Sequence, residues 1–187
     1  MKPPLSLSLS RLASPLGDIL IVSDADGRLR ALDWATHEAR MMRLLARLYG
    51  VGGVALTTAE APPQIAAKLK AFFEGDLAAI DSIPVETSGT PFQREVWAAL
   101  RQIPAGQTWS YGQLAQHIGR PAARRAVGAA NGANPISVVV PCHRVIGADG
   151  TLTGYGGGIE RKAWLLAHEN AVGVLEPRPG LNGLGGG

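Results

Sequence analysis

The chain has 187 residues, 46% of them hydrophobic, which is enough to bury a core and excludes disorder throughout. Its 18 Lys and Arg against 15 Asp and Glu give a formal charge of +3, a modest basic balance that fits DNA binding without requiring it. The single cysteine excludes an internal disulfide and a zinc cluster of the multi-cysteine kind.

At the N-terminus, Lys2 and Pro3-Pro4 run into an alternating Leu/Ser stretch that lacks the apolar core of a secretory leader. No later stretch approaches the roughly 20 apolar residues of a membrane helix. An intracellular protein of a reducing cytosol, with no membrane partner, is expected.

From Leu5 to Trp34 the hydrophobic pattern has period two, broken by turn signals at Ser14-Pro15-Leu16-Gly17 and Asp24-Ala25-Asp26-Gly27. It predicts three antiparallel strands. Glu38 to Tyr49 places Met41, Leu44, Leu45 and Leu48 on one helical stripe, and Pro63 to Glu74 does the same with Ile65, Leu69, Phe72 and Phe73. Residues 1–82 are thus read as an α+β domain, and the Pro-, Thr- and Gly-bearing stretch 83–89 as its connector.

Residues 90–170 read as a mostly helical second domain. Thr90 can cap a helix that has Pro91 at its first position and runs to about Arg101. Ser110 caps a short helix, Tyr111 to Ile118, and Gly119-Arg120-Pro121 turns the chain into another from about Ala122 to Asn131. This pair has the outline of a helix-turn-helix. Asn134-Pro135 opens a loop, the β-branched run Val138-Val139-Val140 reads as a strand, and the Gly-rich stretch Gly154 to Gly158 leads to a last helix from about Glu160 to Glu169. Residues 171–187 show no periodicity and read as a flexible tail.

Cys142 follows the expected strand, within Pro141-Cys142-His143-Arg144-Val145, where cationic neighbours favour the nucleophilic thiolate. A lone cysteine is otherwise a small apolar filler, but a proline before it and His-Arg after it point to an ordered polar corner. Adjacent residues of an extended segment face opposite ways, so His143 is expected to reach the thiol through a water. Glu169 is a candidate partner fixing the His143 tautomer, against the plain alternative of an exposed helix-end acid. The second helix of the pair is built from Ala122, Ala123, Ala126, Gly128, Ala129 and Ala130 around Arg124 and Arg125. It lacks the long polar side chains that read major-groove edges, and its small residues allow close approach to the minor groove. Without the downstream cysteine it would read as a packed alanine-rich helix.

The run Pro141-Cys142-His143-Arg144-Val145-Ile146, with Trp164-Leu165-Leu166-Ala167-His168-Glu169 after it and Asn134-Pro135 before it, resembles the O6-alkylguanine-DNA alkyltransferases. Ser14-Pro15-Leu16-Gly17 and Phe72-Phe73-Glu74-Gly75 agree with that family's N-terminal domain. The resemblance implies an α+β fold, with a small RNase H-like antiparallel sheet and helices followed by a helical domain with a helix-turn-helix. It also implies irreversible, single-turnover transfer of an alkyl group from guanine O6 in duplex DNA to Cys142, with O4-alkylthymine a further candidate substrate.

By the same resemblance, His143 and Glu169 activate the thiol, Asn134 organises the active-site turn, and Tyr111 supports base rotation and protonates the departing guanine. Arg125 enters the stack that the base vacates, with Ala123, Ala126 and Gly128 against the DNA. Val145 offers its carbonyl to the guanine amino group, and Tyr155, Gly156 and Gly157 close on the flipped base. Some relatives carry serine where this chain has Gly156, and the bare glycine points to a roomy pocket. No cofactor or metal is expected, and the protein is read as a monomer on double-stranded DNA, with cooperative binding along the duplex as the alternative.

Three other readings compete. A non-catalytic binder of damaged bases would lack Cys142, and a transcriptional regulator would carry Arg, Gln or Asn along the second helix. A cysteine hydrolase would turn over.

Overall fold

The structure, a computed structural model, describes residues 1–171 and residue 174. The tail expected at 171–187 lies almost wholly outside the described residues. Three strands form as the alternation predicts: β1 (Leu5–Leu12), β2 (Ile19–Ser23) and β3 (Leu29–Trp34), with β1 antiparallel to β2 and β2 to β3. Helix α1 (Glu38–Tyr49) returns the chain to β4 (Val54–Thr58), which lies parallel to β1 and gives the order β3-β2-β1-β4. The pattern does not foretell β4, a short edge strand no more than half buried after Gly50 to Gly53, where period two carries little signal.

Every residue of β2 is buried because both faces of the sheet are covered. Leu7, Leu20, Val22 and Ala31 face Met41 and Leu45 of α1. Ile19, Ile21, Leu32 and Trp34 face the other way, into a core shared with Ile65, Leu69 and Phe72 of α2 (Pro63–Phe73). That core continues without a break into the second half of the chain, through Val96, Trp97 and Leu100 of α3 (Pro91–Leu100) to Val127, Val140 and Leu165.

Thr90 and Gln93 form a reciprocal capping box at the start of α3, and Ser110 and Gln113 form another at the start of α4 (Tyr111–His117). Each such cap is worth about 1 kcal/mol. Helix α5 (Arg124–Gly132) completes the helix-turn-helix and is held to α3 by Trp97 Nε1 donating to the Ala130 carbonyl at 2.8 Å. A two-stranded parallel pair, β5 (Trp109–Ser110) with β6 (Val145–Ile146), joins the start of α4 to the residues after Cys142, and α6 (Ile159–His168) closes the chain.

The open edge of β3 fixes the site. Leu29 donates to the Pro84 carbonyl at 2.8 Å and accepts from Glu86 N, so the 83–89 segment is strapped to the sheet. Leu32 likewise donates to Pro135 O and accepts from Ser137 N, both at 3.0 Å. The loop that carries the cysteine is therefore laid against the N-terminal sheet as a stub of extra strand. Among the described residues no helix is long and apolar enough to cross a membrane.

Candidate active site

The β-branched run expected as a strand is a turn. Asn134, fully buried, donates through Nδ2 to the Val140 carbonyl at 2.8 Å and to Ile136 O at 3.3 Å, and its Oδ1 accepts from Ile136 N at 3.0 Å. These bonds take the groups a ladder would use, and Pro135 and Pro141 offer no N–H to a neighbouring strand. Val138 sits at φ 69°, a left-handed conformation that strains a β-branched residue and is held by the packing around it.

Cys142 therefore opens a 3-10 turn, Cys142–Arg144, rather than following a strand, and the premise of alternating extended residues falls away. It is a free thiol, 6% exposed. Burial pushes its pKa up, with Asn134, Lys162 and Arg40 pulling against it. The expectation that cationic neighbours favour the resting thiolate is thus corrected. His143 is fully buried, and burial drives its pKa down against the pull of Glu169, leaving it neutral near pH 7. The Arg144 charge is spent on Glu169. The thiol rests protonated, and its reaction requires a base.

His143 is anchored by one side-chain contact. Its Nε2 lies 2.9 Å from Glu169 Oε1, with both side chains fully buried. Burial alone would raise the Glu169 carboxyl, but His143 and Arg144 outweigh it and hold it at about 2. With His143 neutral, the opposing charge is the Arg144 guanidinium, which grips the carboxylate through Nε to Oε2 at 3.0 Å and Nη2 to Oε1 at 2.8 Å. An ionised carboxylate only accepts, so Nε2 carries the imidazole proton. Nδ1, buried and bonded to no other described protein atom, keeps its lone pair free. The exposed helix-end alternative for Glu169 is excluded, since the residue is 2% exposed.

Tyr111 and Val145 are linked through Thr153 and Lys162, whereas the α5 candidates lie on a separate face. The Tyr111 hydroxyl shares a hydrogen bond with Thr153 Oγ1 at 2.7 Å. The Val145 carbonyl accepts from Lys162 Nζ at 2.6 Å, and the same ammonium reaches Thr153 O at 3.3 Å, tying residues 145 and 153 together. Tyr155 turns its hydroxyl inward without a described partner, and burial raises its pKa well above the usual value. A Cβ on Gly157 would stand 2.2 Å from Trp34 Nε1, so only glycine allows this approach of the loop to β3. Gly156 lies against the Arg40 guanidinium, which takes up room the sequence left open. On α5, Arg124, Arg125, Ala126 and Ala129 are exposed, Ala123 and Gly128 are half-buried, and Val127, Ala130 and Asn131 face the core.

Sequence reasoning missed Arg144 as the clamp on Glu169, and it missed Lys162, fully buried with its pKa drawn down by burial to about 8. A signal for Lys162 existed. Positions 162, 165, 166 and 169 form one helical stripe, on which Leu165 and Leu166 mark the inward face. Arg40 carries no comparable mark. Among the described residues no cluster of three His, Cys, Asp or Glu is placed to hold a metal.

The fold and the site define a protein with one buried free thiol and a buried His–Glu pair, together with a helix-turn-helix whose outer face is small and basic. Residues 91–171 match the family described as 6-O-methylguanine DNA methyltransferase, DNA binding domain, and residues 9–87 match its ribonuclease-like domain. A methylated-DNA–protein-cysteine methyltransferase of Shigella flexneri is 53% identical over 165 residues, covering 88% of this chain and 96% of its own. One of Methanosarcina acetivorans is 40% identical over 158 residues, covering 84% and 95%.

Among solved structures, Mycobacterium tuberculosis OGT in complex with DNA superposes with a TM-score of 0.74 at 38% identity, covering 89% of this chain and 96% of that one. The O6-methylguanine-DNA methyltransferase of Pyrococcus kodakaraensis gives 0.67 at 30% identity, covering 88% and 99%. The chain belongs to the 6-O-methylguanine DNA methyltransferase family.

Proposed function

We propose that this chain repairs DNA by direct reversal, Cys142 accepting the alkyl group from O6 of guanine in duplex DNA once per molecule. The observation that carries the reading is the buried thiol beside a neutral His143 whose Nε2 is committed to Glu169 and whose Nδ1 is free to accept a proton. The thiol proton passes through a water to Nδ1 and the sulfur attacks the alkyl carbon. A carbon–sulfur bond forms as the carbon–oxygen bond breaks, and the electron pair leaves with the guanine. A proton from Tyr111 neutralises the departing base. A thioether is a poor leaving group, and the chain has no second cysteine to reclaim the sulfur, so the reaction stops after one event.

O6 is hidden inside a stacked duplex, so the nucleotide must be extruded to meet a thiol this deep. The loop at Tyr155, Gly156 and Gly157 closes on the base, the Val145 carbonyl accepts from its amino group, and Asn134 holds the turn. The exposed small-residue face of α5 suits close approach to the minor groove, with Ala123, Ala126 and Gly128 against the backbone and Arg125 filling the vacated stack.

Intact mass after incubation with O6-methylguanine duplex should rise by one methyl per chain, mapping to the Cys142 peptide. Turnover of many substrate molecules per chain, or a label on another residue, defeats the reading. Arg125→Ala should slow repair in duplex DNA about tenfold or more, equivalent to about 1.4 kcal/mol or more of lost stack-filling contact, while leaving the melting temperature within about 2 °C. Single-turnover rates equal to wild type would remove Arg125 from that role.

A further inference from the structure

Arg40 has no part in the roles assigned above, although it reaches from α1 to the loop beside the thiol. Its Nη1 donates to Asp33 Oδ2 at 2.7 Å and its Nη2 to the Gly132 carbonyl at 3.2 Å, so one guanidinium joins the end of β3 to the end of α5. A Cβ built on Gly156 would lie 2.2 Å from Arg40 Cζ, 2.3 Å from Nη2 and 2.4 Å from Nε. The guanidinium fills the volume that a side chain at 156 would occupy.

It is not free to swing aside. The Asp33 side chain is 1% exposed and that of Arg40 18%, and parting them would leave a buried carboxylate unpaired. The filled volume belongs to the neighbourhood of the thiol, because Lys162 ties Thr153, three residues before Gly156, to Val145, three residues after Cys142. The Arg40 charge is also among those that pull the Cys142 thiol down against burial.

We propose that Arg40 is a specificity-determining residue for alkyl transfer: it walls off the space over Gly156 with a tethered guanidinium and limits the bulk of the O6 substituent that can reach Cys142. This rests on the alkyl-transfer reading above. A methyl group needs little of that volume, whereas a benzyl group needs the part Arg40 fills. The N-terminal half of the chain thereby sets substrate range without supplying a reacting atom.

The test compares wild type, Arg40→Ala and the double variant Asp33→Asn/Arg40→Ala, which leaves no carboxylate alone, in single-turnover transfer from O6-methylguanine and O6-benzylguanine duplexes. The benzyl-to-methyl rate ratio should rise about tenfold or more in both variants, the scale on which a pocket discriminates by bulk. Gly156→Ser should slow transfer in the wild-type background and recover when combined with Arg40→Ala, since the two side chains compete for one volume. An unchanged ratio in the folded double variant overturns the proposal, as does equal damage from Gly156→Ser in both backgrounds. Failure of wild type to take up an alkyl group from either duplex would instead strike the alkyl-transfer reading itself.

Discussion

Glu169→Ala should lower the melting temperature by on the order of 10 °C and abolish measurable alkyl transfer. The carboxylate is 2% exposed and answers a guanidinium that is equally buried, and removing one member of such a pair strands the other, at a cost of about 3–5 kcal/mol. For a chain of this size each kcal/mol moves the midpoint by about 2–4 °C. Arg144 keeps only its Nη1 bond to the Ile103 carbonyl, and His143 loses the acceptor that fixes its tautomer. Glu169→Gln, which keeps one acceptor oxygen and the shape, should cost less stability yet still slow transfer. A thermal melt of Glu169→Ala within about 2 °C of wild type would show that the pair does not carry the load its burial implies.

Cys142→Ala should separate chemistry from architecture. No adduct should form at any time, while stability changes by only about 1 kcal/mol, the order of losing one methylene-sized group from a packed site. The bonds that shape the turn run from the Asn134 side chain to the backbone of Ile136 and Val140, which the substitution leaves in place, so the pocket and the exposed face of α5 should survive. The variant should bind O6-methylguanine duplex about as well as wild type in a gel-shift titration and hold it without reaction. Residual transfer, or loss of folding in this variant, would mean that the thiol is either not the acceptor or not separable from the frame.

The elements that matter most for position were legible because local rules and tertiary demands agree in them. Thr90-Pro91 and Ser110-Tyr111 announce helix starts through capping chemistry that needs no distant partner, and the Leu/Ser alternation of β1 is a local statement about two faces of a sheet. The turn at 137–140 was not legible, because three consecutive valines favour a strand until a buried asparagine six residues away claims the Val140 carbonyl. The thiol's protonation state failed for a similar reason. Neighbouring letters advertise positive charge, but burial and the Glu169 contact, 25 residues from Arg144, decide where that charge goes. Arg40 lay beyond reach altogether, since the volume it fills is defined by a glycine more than a hundred positions downstream.

The two backbone bonds between Leu32 and the loop at Pro135 and Ser137 give the N-terminal sheet a mechanical duty. They ground the turn that presents the sulfur on a four-stranded plate, so a load placed on that turn is passed to β3 and does not deform the shelf. A sheet without a single reacting atom thus determines how stiffly the nucleophile is aimed.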